Sequence, residues 1–143
     1  MARASGRRAV ALAALLVTGI LGPGALAQES QGDRCVVSIG RGATAVGGAT
    51  GTMTVRNGRA CRITNFTIPE QRVATSRLEI HQAPAQGRLE IVQPNIVVYI
   101  STDGYVGPDE FQYGGSGPGL QGRTVPFNVR VEVRVVRRDE PLR

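Results

Sequence analysis

Residues 124–136 read T-V-P-F-N-V-R-V-E-V-R-V-V. From Phe127 onward apolar and polar residues alternate without a break, so that Phe127, Val129, Val131, Val133 and Val135 share one face while Asn128, Arg130, Glu132 and Arg134 share the other. A period of two describes a strand with one side in a core and one in water. The same alternation recurs upstream in shorter pieces: Leu78 and Ile80 against Arg77, Glu79 and His81, then Leu89 and Ile91 against Arg88 and Glu90.

Beyond residue 28 no run of ten or more residues shows a helical apolar period, and short β-branched segments are separated by Gly, Pro, Asn and Asp. The strands expected are 35–39, 52–55, 61–68, 77–81, 88–92, 96–100, 110–113 and 124–136. Seven or eight short strands at this spacing predict an all-β sandwich or small barrel. The linker 83–87 is short enough to join 77–81 and 88–92 as a hairpin, whose outer face would carry Arg77, Glu79, Arg88 and Glu90 as an alternating charge lattice. Asn57-Gly58 marks a second hairpin. A loop of residues 56–58 with Gly58 in a left-handed bulge position would set Met53 opposite Cys61 and collect the apolar residues on one face.

The amino terminus is organised differently. Arg3, Arg7 and Arg8 precede the apolar run 9–21, a Gly-Pro-Gly break follows, and Ala25-Leu26-Ala27 supplies an A-x-A exit. This is the pattern of a secretory signal peptide over residues 1–27, with residues 28–143 as a single mature domain and a periplasmic or secreted bacterial location. The apolar run is shorter than the ~20 residues a membrane span requires, so no membrane span is expected in the mature chain. The formal charge is +6, of which three charges belong to the leader, leaving +3 on residues 28–143. All 17 basic residues are arginine, consistent with biased coding in a GC-rich genome. Cys35 and Cys61 are the two cysteines, and export makes a disulfide between them the expected state.

Residues 99–113, Y-I-S-T-D-G-Y-V-G-P-D-E-F-Q-Y, look most like a motif. Read with Pro84 to Leu89, with Val97 and Tyr99, and with the alternating valines 129–135, the chain from about 80 to 136 resembles bacterial immunoglobulin-like or cadherin-like modules. Their carboxyl half runs P-x-x-G-x-[LV], V-x-Y, G-[YF]-x-G-x-D-x-F-x-Y and a valine strand. The resemblance implies an immunoglobulin-like sandwich in which Tyr99 and Phe111 sit in the core and the Gly104–Gly107 turn crosses between sheets. Period two independently places Val97 with Tyr99, and Phe111 with Tyr113, on common faces. Asp109 is expected to accept hydrogen bonds from loop amides. Tandem cadherin-like repeats bind calcium with clustered carboxylates, and Asp103, Asp109 and Glu110 lie close in sequence. Calcium takes six to eight oxygen ligands, which three acids of an isolated module do not supply.

Other chemistry finds little support. His81 is the single histidine and its parity points outward, no G-x-S-x-G elbow is present, and the chain has no lysine for a phosphate loop. Two cysteines and one histidine do not complete a zinc site. No cofactor is expected. A nucleic-acid partner would require a basic face interleaved with stacking aromatics, which make up 4% of residues here. The expectation is therefore a non-catalytic binding or structural module with an envelope protein or glycan as partner. Its candidate contacts are Asp103 and Tyr105 in one end loop, with Gly114, Ser116 and Pro118 in a mobile glycine-rich loop. A small inhibitor or adhesin, or a hydrolase, stands behind that reading.

Overall fold

The computed structural model describes residues 34–40 and 48–143; the leader expected over residues 1–27 lies outside them. Among the described residues ten strands form: β1 Cys35–Ile39, β2 Ala49–Arg56, β3 Ala60–Thr64, β4 Phe66–Ile68, β5 Val73–Ala74, β6 Arg77–Gln82, β7 Gly87–Gln93, β8 Ile96–Ser101, β9 Gly107–Pro118 and β10 Thr124–Val136. The fold is an all-β sandwich. One sheet has the order β1-β2-β10-β9-β6, a second has β3-β8-β7, and β4 and β5 form a small separate ladder. The β2–β10 pair is parallel, with Val133 beside Met53, and the other pairs are antiparallel.

The alternation of β10 is realised as expected, with Phe127, Val129, Val131, Val133 and Val135 buried and the intervening residues exposed. These valines meet Met53, Val55, Phe111 and Tyr113 of the same sheet and Cys61, Ile63, Val97 and Tyr99 of the facing one. Burying a large aliphatic or aromatic side chain contributes roughly 1.5–3 kcal/mol, so the two apolar faces drive the sheets together. The Cys35–Cys61 disulfide forms, with its Cα atoms 5.8 Å apart. It joins β1, the edge of the large sheet, to β3, the edge of the small one, and closes that side of the sandwich.

Both expected hairpins are corrected. The turn at Asn57-Gly58 is real, with Arg59 N–H donating to Arg56 O and Gly58 at φ +66°. However, β2 lies in the large sheet and β3 in the small one, so Met53 and Cys61 belong to one core but do not pair. Strands β6 and β7 likewise belong to different sheets. Each carries apolar residues that must reach the core, and placing them on opposite sheets lets both do so. The shared charge lattice is therefore not built; Arg77–Glu79 and Arg88–Glu90 are separate ion pairs, each within its own strand. The apolar side chains at the open side are only partly covered, with Ile80 and Ile91 each 40% exposed.

The segment expected as a mobile loop is a strand. Gly114, Ser116 and Pro118 belong to β9, between β10 and β6. The glycines follow from the approach of β6: a Cβ on Gly115 would collide with the Arg77 carbonyl, and one on Gly117 would press on the Thr75 backbone. Absence of side chains is here a requirement of close strand packing. The segment expected as one strand over 61–68 breaks at Asn65, and the two-residue β5 carried no signal of its own; together they raise the count to ten.

Two substitutions test this architecture in urea denaturation. Phe111→Ala should cost about 3–5 kcal/mol, as truncations of core aromatics do. Gly115→Ala should cost at least about 1–3 kcal/mol by overpacking against the β6 backbone, whereas a residue in a mobile loop would tolerate the change.

Candidate functional site

The core aromatics form a row. Tyr99 stacks on Phe111 with centroids 5.5 Å apart, Phe111 lies 6.1 Å from Tyr113, and Tyr113 meets Phe127 edge-on at 6.4 Å. Each tyrosine in this row must place its hydroxyl on a polar partner inside the protein. Tyr113 O–H donates to Asn65 Oδ1 at 2.8 Å, and Asn65 Nδ2 in turn donates to the Ile63 and Asn95 carbonyls. Tyr99 O–H donates to Asp109 Oδ2 at 2.8 Å.

Asp109 is the centre of one end of the sandwich. Besides the Tyr99 hydroxyl, its carboxylate accepts from the backbone N–H groups of Ala85 at 3.0 Å, Gln86 at 3.0 Å and Glu110 at 2.9 Å. The expected use of Asp109 by loop amides is therefore present, with the linker between β6 and β7 as the loop. Burial, then the hydrogen bond to Asp109, pushes the Tyr99 phenol well above its ordinary value. Burial raises the Tyr113 phenol as well, against the opposing effect of its bond to Asn65.

The remaining acids face different partners. Asp103 pairs with Arg138 at 2.6 Å and Glu110 with Arg130 at 2.8 Å. The bond from Arg130 holds the Glu110 carboxyl below the usual glutamate range. Asp103, Asp109 and Glu110 are thus directed to three separate partners, and among the described residues no group of three or more His, Cys, Asp or Glu is placed to hold a metal ion. His81 points outward as expected, 3.3 Å from Glu79 and over Gly114.

Beside the Asp109 node lies an open groove of about 670 Å³. Its floor is the outer face of the large sheet, contributed by Thr52 and Thr54 of β2, Glu132 and Arg134 of β10 and Glu110 of β9; Gln82, Gln86 and Tyr105 stand on its rim. Tyr105 is fixed there by a bond from its hydroxyl to the Pro108 carbonyl at 2.6 Å. Of the five candidate contact residues, Tyr105 lines this groove, as do Asp109 and Glu110 of the acidic trio; Asp103 sits in the neighbouring turn, and Gly114, Ser116 and Pro118 are on β9 beyond it. Thr52, Thr54, Gln82 and Gln86 were not anticipated. The alternation Thr50, Thr52, Thr54 was the legible signal, since three β-branched polar residues at period two mark the wet face of a strand.

No protein-family model matches the chain, and comparison with curated protein sequences likewise finds no match.

The phenol environments make a pH prediction. Both Tyr99 and Tyr113 titrate higher in the folded chain than in the unfolded one, so their stabilisation is complete below about pH 10 and declines as pH rises above it. Each should contribute a fall of about 1.4 kcal/mol per pH unit there. In urea titrations above pH 10, Tyr113→Phe should remove roughly half of the combined slope.

Proposed function

We propose that the chain is an exported, non-catalytic binding or structural module of the cell envelope, and that the groove beside Asp109 is its contact surface. The observation that carries this reading is the state of the carboxylates around that groove: Asp109 is occupied by four donors and Glu110 by Arg130. The groove thereby offers fixed hydrogen-bonding groups on a rigid sheet and no adjacent base and nucleophile. Its rim is held in place, because the linker is tied to Asp109 and Tyr105 to Pro108, and a preorganised surface binds without the cost of ordering it.

Export is supported by the leader pattern of residues 1–27 and by the Cys35–Cys61 disulfide. No helix of the described residues is long and apolar enough to cross a membrane. The sandwich, the buried Tyr99 and Phe111 and the engaged Asp109 agree with the resemblance to immunoglobulin-like and cadherin-like modules, which mostly bind or space other molecules. That likeness of fold is analogy and does not name a ligand. The mixed Thr, Gln, Glu and Arg lining suits a polar partner, an envelope protein or a glycan.

The test pairs capture from an envelope extract and a glycan array with a hydrolase substrate panel. Thr52→Arg with Glu132→Arg, both at exposed floor positions, should abolish capture, while Glu70→Arg at the opposite end of the sandwich should leave it intact. Equal capture by the groove variant removes the groove from consideration. Turnover that disappears in His81→Ala would overturn the non-catalytic reading.

A further inference from the structure

The tetrapeptide R-L-E-I occurs twice, at residues 77–80 and 88–91, once in each edge strand on the open side of the sandwich. Strand β7 has β8 as its one ladder neighbour among the described residues. The phase of that ladder is set at its start, where Thr102 N–H donates to Gln86 O at 3.1 Å. Because antiparallel bonding alternates along a strand, the register Gly87↔Ser101, Arg88↔Ile100, Leu89↔Tyr99 turns the backbone of Arg88 and Glu90 toward β8. The N–H and C=O groups of Gly87, Leu89 and Ile91 point the other way, along the free edge.

We infer that this edge pairs with the same edge of a second copy, antiparallel, about a two-fold axis at Leu89. Backbone bonding requires odd-numbered residues of one copy to face odd-numbered residues of the other, which leaves a few registers. Centring on Arg88 sets arginine against arginine, and centring on Glu90 sets glutamate against glutamate; both are repulsive. Centring on Leu89 sets Arg88 opposite Glu90 of the second copy and Glu90 opposite its Arg88, with Leu89 meeting Leu89 on the inner face. Gly87 then faces Ile91, and the three outward-directed backbone positions of each copy bond reciprocally. The irregularity of β7, between Ile91 and Gln93, falls outside this paired stretch. Ile91 and Val92, 40% and 50% exposed in the single chain, lie at the margin that the second copy covers.

The corresponding edge of β6 carries its irregularity at the equivalent place, between Ile80 and Gln82, and differs in its charges: Glu79 is engaged by His81 as well as by Arg77, whereas Glu90 pairs with Arg88 of its own strand. An isologous contact through β7 would make one six-stranded sheet from two three-stranded ones, the usual closed outcome of a two-fold interface.

Sedimentation of the full chain over a concentration series up to its solubility limit tests the inference. Wild type should show a reversible monomer–dimer equilibrium. Arg88→Glu and Glu90→Arg should each weaken it by roughly tenfold or more, since both symmetric pairs become repulsive. The double reversal should restore it, and an equimolar mixture of the two single variants should form a heterodimer tighter than either homodimer. Arg77→Glu on β6 should change nothing. A wild-type chain that stays monomeric throughout, single reversals without effect, or a dimer disrupted by Arg77→Glu would each overturn the inference.

Discussion

One carboxylate determines how the two sheets and their connection fit together. Asp109 lies near the start of β9 in the large sheet, yet it accepts a bond from Tyr99 of the small sheet and from two amides of the linker that leaves β6 for β7. A phenol carried into the core without a partner would cost about 1–3 kcal/mol, so Tyr99 can stack on Phe111 only because Asp109 stands at the end of its ring. The linker amides, which follow Pro84 and have no ladder of their own, are satisfied by the same group. Removing the acid would unsettle the aromatic row, the linker and the rim of the groove together.

The opposite side of the fold uses a covalent version of the same solution. Cys35–Cys61 ties edge to edge where the strands β1 and β3 end the two sheets. A crosslink closing a loop of this length restricts the unfolded chain by roughly 3–4 kcal/mol in the entropic account. One side is closed by sulfur and the other is bridged by the linker; Ile80 and Ile91 stay uncovered on the bridged side, as Val36 of β1 does on the other.

Much of this was legible in the sequence wherever burial on one face dictated an alternation. The faces of β10, the core positions of Tyr99 and Phe111 and the use of Asp109 by loop amides follow from local pattern, and the disulfide from two cysteines in a chain with an export leader; the bond from Tyr99 to Asp109 had no local signal. Pairing was less legible. The Asn57-Gly58 turn and the 83–86 linker look like hairpin turns because local chemistry specifies a reversal of direction, and it does not specify whether the returning strand joins the same sheet or the facing one. Apolar alternation is satisfied equally by both. The glycines of 114–117 were misleading for a related reason: glycine permits a loop, but it also permits a neighbouring backbone to approach, and only the β6 contact distinguishes the two. The groove was hardest to anticipate because it assembles Thr52, Gln86, Tyr105 and Glu132 from strands and turns far apart in the chain.

The central claim is that Tyr99 and Asp109 act as one unit joining the sheets. A double-mutant cycle with Tyr99→Phe and Asp109→Asn, read by urea denaturation at neutral pH, measures this most directly. The account predicts a coupling of about 1.5 kcal/mol or more, the scale of a hydrogen bond to a charged group. Additivity of the two single effects within about 0.3–0.5 kcal/mol would contradict it.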